Sequence, residues 1–375
     1  MAALALVAAV AVASQDVQPE QPISASVLPA SPYIEVRDGE QRLTFDLVLH
    51  NNSQTALKLV AIREAVYDSH GKLELEREIN GNGVPSALSG LGDLSLQADG
   101  YKDIFQPFGQ YAADVSLDHV QLTLIFLKPE KPTPPVALTG DVVVHLDVRP
   151  QAFQPQAYCL PLGGIVLVHE GHDLASHHRR RDLAKVFGAD AAHGVNANLY
   201  AYDFVRVGPH GELFSGDAGR KENWLTFGAP VFSPTDGTVL EAVDGVADNT
   251  FVDGSAKILK AAESVDPQGL GNHVLIKSKD GRVSWLLHLE AGTIAVRAGQ
   301  VIKQATALGH VGFSGDSLFP HLHYNVTNGA SYPSQGVPSY FGNFVRVLGS
   351  RRAAVGYGQV DTGDIVLRGV KPSCR

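Results

Sequence analysis

His321-Leu322-His323 places two imidazoles one residue apart, after Pro320 and before the strand-like run Tyr324-Asn325-Val326. Alternate side chains of an extended strand share a face, so both rings point one way while Leu322 points into a core. Two histidines on one cleft can divide their work between a metal ion and a water molecule. The pair alone fits two hydrogen-bonded sheet histidines equally well. Its chemistry depends on partners elsewhere in the chain.

Candidate partners lie upstream. His169, His172, His177, His178 and His193 all precede the strand Leu199-Tyr200-Ala201-Tyr202-Asp203-Phe204-Val205, which carries one inward carboxylate. That is the supply a metal site with histidine and aspartate ligands needs. His288, in Trp285-Leu286-Leu287-His288-Leu289, sits at a strand end. The histidines of the first part of the chain, His50, His70, His119 and His145, have no shared spacing and read as structural or solvated.

These residues require strands to hold them. From Tyr33 to Val148 short runs alternate apolar and polar positions: Tyr33–Val36, Leu43–Leu49, Leu57–Val60, Val120–Phe126 and Asp141–Val148. A period near two marks strands. Asn51-Asn52-Ser53, Ser69-His70-Gly71 and Asn80-Gly81-Asn82-Gly83 supply turns. The pattern predicts an all-β chain whose residues 32–150 form an immunoglobulin-like β-sandwich. Lys128 to Pro135 reads as a stiff loop within it, and Arg149 to Gln156 as the boundary with a second domain at 157–375. Residues 14–31, rich in Gln, Pro, Ser and Ala, read as a flexible leader.

Met1 to Ala13 is apolar and ends Ala11-Val12-Ala13, the h-region and cleavage site of a secretory signal peptide, although the basic n-region is missing. Export to the periplasm or the extracellular space is expected. No later segment approaches the roughly 20 apolar residues of a transmembrane helix, so no integral membrane span is expected. Export also suits Cys159 and Cys374, an even count expected to form one disulfide. With 44% hydrophobic and 18% charged residues the chain is globular rather than disordered. A net charge of -9 lacks the basic face of a phosphate-backbone binder, which excludes nucleic acid as the expected partner. A monomer is expected.

The Asp203 strand, GAPVFSPTDGTV from Gly228, GNHVLI from Gly271, the WLLHL strand, the VRAGQVI turn, GFSG from Gly312 and PHLHYNV from Pro320 follow one another in order. In that order they resemble the lysostaphin-type (LytM-like) zinc metallo-endopeptidases, exported hydrolases that cut peptide bonds in bacterial peptidoglycan. The resemblance covers most of Cys159 to Val326. It implies a β-rich, groove-bearing peptidase domain, the duplicated hybrid-motif barrel-sandwich, and a Zn2+ cofactor. Carried over residue by residue, Asp203 and His323 become metal ligands, and His288 and His321 the catalytic histidines.

The first histidine ligand departs from the common pattern. Four residues before the aspartate this chain has Leu199. Some members carry a longer insertion after a histidine followed by two arginines, which Ser176-His177-His178-Arg179-Arg180 resembles. The resemblance therefore assigns His178, with His193 and then His177 as alternatives. Arg179 and Arg180 stay outside the catalytic set, with three readings open: solvated charges, orientation of Asp203, or binding of a stem-peptide carboxylate.

Such a site agrees with elementary zinc chemistry. Three protein ligands leave a fourth position for water, whose pKa the metal lowers to about 7. One nearby imidazole can take a proton while another donates a hydrogen bond to the developing oxyanion. The expected function is hydrolysis of peptide bonds in peptidoglycan cross-links, with stem or cross-bridge peptides as partners. A D-alanyl to diaminopimelate bond is preferred and a glycine-rich bridge is second. Two alternatives stand beside it: a catalytically silent wall-binding or amidase-activating module, and an exported zinc peptidase directed at proteins.

Overall fold

The computed structural model describes residues 21–131, 140–180, 196–259, 269–331 and 334–369. The expected signal peptide, His193 and Cys374 lie outside these. Cys159 is fully buried and is not a free thiol. Strands dominate, as the period-two runs predict, and among the described residues the helices are single turns. None is long and apolar enough to cross a membrane.

In the N-terminal part, Asp46–Asn51 lies between Ile23–Leu28 and Tyr101–Phe105, and His119–Leu127 lies between Leu57–Tyr67 and Val142–Val148. A further sheet joins Tyr33–Arg37 to Glu40–Leu43 and Gln110–Ala112. Leu47, Leu59, Ile62, Leu122 and Tyr111 bring all three sheets to one core.

One expectation is corrected here. Ile23–Leu28, inside the expected leader, is a strand in register with Asp46–Asn51, and Ile23 is buried. Its Ile23, Ala25 and Val27 alternate with Ser24 and Ser26, and this short alternation outweighs the polar composition around it.

The chain passes from one part to the other through 151–158. Gln151–Ala152 pairs in parallel with Tyr33–Ile34, and Ala157–Tyr158 pairs in parallel with Tyr340–Phe341. Between them the Phe153 ring packs on Tyr33 and Tyr340, with centroids 5.0 and 6.0 Å away.

The C-terminal part is built on one large sheet. Its centre runs Gly164–Glu170, Tyr202–Arg206, Leu322–Thr327, Val283–Leu289, Asn272–Lys277, each antiparallel to the next. The register aligns Asp203 with His323, and His323 with Leu287. Directly paired residues share a face, so this row crosses three strands on one side of the sheet. The other side carries Tyr202, Phe204, Leu322 and Tyr324 into the core, all fully buried. Burying a side chain such as Phe204 or Leu322 contributes about 1.5–3 kcal/mol relative to exposure. A one-residue register slip would exchange that core for the polar row, which fixes the pairing strongly.

Candidate metal centre

The strand Leu322–Thr327 sets the floor of the site. His321, His323 and Asn325 alternate onto its polar face, and Leu322 lies in the core as the H-x-H spacing predicts. The neighbouring strand brings Asp203 alongside, with its Oδ1 3.0 Å from His323 Nδ1. His178 comes from the four-residue helix His177–Arg180 and places Nε2 3.3 Å from the same oxygen. His321 Nε2 is 3.5 Å from it. Three imidazoles from two distant stretches of sequence thus converge on one buried carboxylate oxygen.

His288 reaches the cleft by a different route. Simple alternation would send it to the face opposite Leu287. The ladder to Asn272–Lys277 slips here, with Asn272 opposite Leu289 but Val274 opposite Leu286, and His288 adopts φ 65°. Such a bulge with a left-handed residue re-aims a side chain, at a cost in backbone strain characteristic of functional sites. The His288 ring then lies 5.0 Å from that of His321 and 5.9 Å from that of His323, centroid to centroid.

Both remaining imidazoles are oriented by main-chain carbonyls. His288 Nδ1 is 3.0 Å from Ser314 O, and His321 Nδ1 is 2.8 Å from Phe319 O. A carbonyl only accepts, so Nδ1 carries the proton and Nε2 is the basic nitrogen of each neutral ring. Ser317 Oγ, which donates to Phe319 O at 2.7 Å, also lies 3.2 Å from His321 Nδ1.

Burial raises the Asp203 carboxyl's pKa, but the charges of His321 and His178, with hydrogen bonds from His178 and His323, hold it well below the usual range. Asp203 is therefore an anion in this setting. Burial drives His288 well below an ordinary imidazole, and repulsion from His321 and His323 adds to it. Burial lowers His323 to about 4, against the pull of Asp203. A neutral imidazole is the form that binds metal or accepts a proton.

The donor set fits a metal ion. His178 Nε2 and His323 Nδ1 are buried and face one Asp203 oxygen at 3.3 and 3.0 Å, the donor atoms of two imidazoles and a carboxylate gathered at one point. Two imidazoles and a carboxylate are also the ligand types of a catalytic zinc site. His177, His178 and Asp203 have ligand atoms within 4.8 Å of one another. His177 differs from its neighbour in that its side chain is 57% exposed and its Nδ1 lies 3.5 Å from Glu170. His178, at 4%, is the enclosed member. The cleft above these groups has a volume of about 220 Å³ and is walled by Leu270, Trp285, Leu287, Leu318 and Phe319.

The structure thus brings together His178, Asp203, His288, His321 and His323. Arg179 departs from two of its open readings, solvated charge and orientation of Asp203. It is 4% exposed and bonds to Asp46 of the N-terminal part rather than to solvent or Asp203. Asp46 and Asn196, which meet there, carried no local signal in the sequence.

Residues 225–335 match the model of peptidase family M23. This part of the chain is an M23 peptidase domain. The matched span contains His288, His321 and His323, while His178 and Asp203 lie upstream of it. Among solved structures, the catalytic domain of lysostaphin from Staphylococcus simulans is 20% identical over 39% of this chain and 79% of that one, with a TM-score of 0.25. The catalytic domain of the prophage-encoded M23 protein EnpA from Enterococcus faecalis is 22% identical over 34% and 87%, with a TM-score of 0.22. A zinc-containing peptidase from Vibrio cholerae is 14% identical over 78% and 80%, with a TM-score of 0.21.

Proposed function

We propose that this chain is an exported zinc metallo-endopeptidase that hydrolyses peptide bonds in peptidoglycan cross-links, working as a monomer in the periplasm or outside the cell. The observation that carries the reading is the convergence of His178 Nε2 and His323 Nδ1 on the buried Asp203 oxygen. Beside it stand His288 and His321, whose Nδ1 atoms are both committed to carbonyls. His178, Asp203 and His323 would hold the zinc. When bound, zinc supplies a Lewis acid and an acidified water.

The chain's own residues supply the rest. The cleft walls hold an extended peptide with its scissile carbonyl over the polar row. One of the Nε2 atoms of His288 and His321 takes a proton from the attacking water and delivers it to the leaving amine nitrogen as the C–N bond breaks. The other donates a hydrogen bond to the oxyanion once its Nε2 has gained a proton, which the resting Nδ1-protonated ring lacks. The preferred target is the D-alanyl to diaminopimelate bond, followed by a glycine-rich bridge.

Purified sacculi and an unfolded protein, each digested by the zinc-loaded chain, test the proposal. Release of muropeptide monomers from sacculi is expected. Cleavage of the protein with intact sacculi would redirect the activity to proteins, and no cleavage of either with zinc bound would make the domain a silent binding module.

A further inference from the structure

His178 sits on a helix of four residues, too short to fix its own side chains through internal hydrogen bonds. Its start is tied locally, His177 N donating to Glu170 Oε2 at 2.9 Å and His178 N to Ser176 Oγ at 3.1 Å. Its other end is tied to the N-terminal domain. Arg179 Nη1 donates to Asp46 Oδ1 at 2.6 Å, and Nη2 donates to Phe45 O at 3.3 Å. From the far side of the insertion, Asn196 Nδ2 donates to Asp46 Oδ2 at 3.1 Å, and Tyr200 OH donates to Thr44 O at 3.3 Å.

One carboxylate therefore accepts on each oxygen from a different mouth of the insertion that separates His178 from Asp203. Asp46, Arg179, Asn196 and His178 are all 5% exposed or less, so solvent does not replace these bonds. The same Asn196 stretch runs back to the metal row, where Asn325 Nδ2 donates to Ala197 O at 3.0 Å. Four residues before the aspartate stands the buried Leu199, outside the strand Tyr202–Arg206, so the histidine comes instead from the separate helix His177–Arg180.

We propose that Asp46 is a positioning residue for the metal site. Through Arg179 it fixes the helix that turns the His178 nitrogen toward Asp203, so the N-terminal domain completes a metal centre that the peptidase sheet leaves one ligand short. The proposal rests on the reading of His178 as a ligand.

The test uses the full chain with Zn2+, measured by chelator competition, and with Co2+, whose absorption reports ligand geometry. Wild type, Asp46→Ala, Asp46→Asn, His178→Ala and Asp46→Ala/His178→Ala are compared. Asp46→Ala is expected to weaken zinc binding about 10–100-fold, the range for residues that orient a ligand. Asp46→Asn, which keeps shape and one acceptor, is expected to lose less, and it carries the test if the alanine variant does not fold. The double variant is expected to bind no more weakly than His178→Ala, because Asp46 acts through that ligand. Wild-type affinity and an unchanged cobalt spectrum in both Asp46 variants would overturn the proposal while leaving His178 a ligand. So would an Asp46 effect that adds in full to His178→Ala. Wild-type affinity in His178→Ala would overturn the ligand reading itself, and this proposal with it.

Discussion

His288 and His321 each commit Nδ1 to a backbone carbonyl, whereas the Nδ1 of His323 faces Asp203, so removing either of the first two rings should separate chemistry from metal binding. His288→Ala and His321→Ala are each expected to lower kcat about 10²–10⁴-fold, the usual range for a positioned acid, base or oxyanion donor, with zinc content unchanged. Metal analysis beside sacculus turnover checks this, and loss of zinc from either variant would move that histidine into the ligand set. His178→Ala and Asp203→Ala are expected to lose both metal and activity. His177→Ala should keep both, because its ring is largely exposed and directed at Glu170. If His193→Ala emptied the site while His178→Ala did not, the first ligand would be His193.

The Val283–Leu289 strand and the segment after His310 cross closely where His288 is turned into the cleft, and glycine permits the crossing. A Cβ on Gly312 would stand 2.4 Å from Glu290 N and 2.5 Å from Leu289 C, backbone that has nowhere to go. Gly312 N also donates to His288 O at 3.0 Å. Gly312→Ala is therefore expected to cost about 1–3 kcal/mol by overpacking and to lower kcat by displacing His288. Denaturant melts and turnover measure the two effects, and a variant with wild-type melts and turnover would refute the close-crossing account. At this scale the strands were largely legible, since period-two runs and the H-x-H fix which face each side chain takes. Ile23–Leu28 escaped because its alternation is three residues deep in a polar stretch. The bulge at His288 was illegible for another reason. Alternation assigns that histidine to the opposite face, and only the register slip against Asn272–Lys277 reverses it. Asp46 was illegible because a tie across domains leaves no mark in local spacing.

The two parts of the chain share buried polar contacts that neither could leave unpaired. Glu35, fully buried on the N-terminal side, accepts from Thr44 Oγ1 at 2.8 Å and from Gln359 Nε2 at 2.5 Å, and its Oε2 lies 3.3 Å from His172 Nε2. Arg37 pairs with Asp361, and Val36 exchanges hydrogen bonds with the Tyr340 hydroxyl. Separating the parts would expose or orphan all of these groups, so thermal unfolding is expected as one transition rather than two. Calorimetry of the full chain checks this. Burial raises the Glu35 carboxyl's pKa, yet the charge of His172 and hydrogen bonds from His172, Gln359 and Thr44 outweigh it, and the net value falls below the ordinary 4.5. A carboxyl more acidic in the folded than in the unfolded chain stabilises the fold above its unfolded pKa and loses that contribution as pH falls through the folded value. Wild-type protein should therefore lose Tm more steeply below about pH 4.5 than Glu35→Gln, which has no proton to gain. At neutral pH, Glu35→Ala should cost about 3–5 kcal/mol, as breaking a buried charge pair does. Because the same interface holds the His172–Arg179 segment, that loss should be accompanied by weaker zinc retention. Parallel slopes for wild type and Glu35→Gln would show that the carboxylate does not couple the two parts.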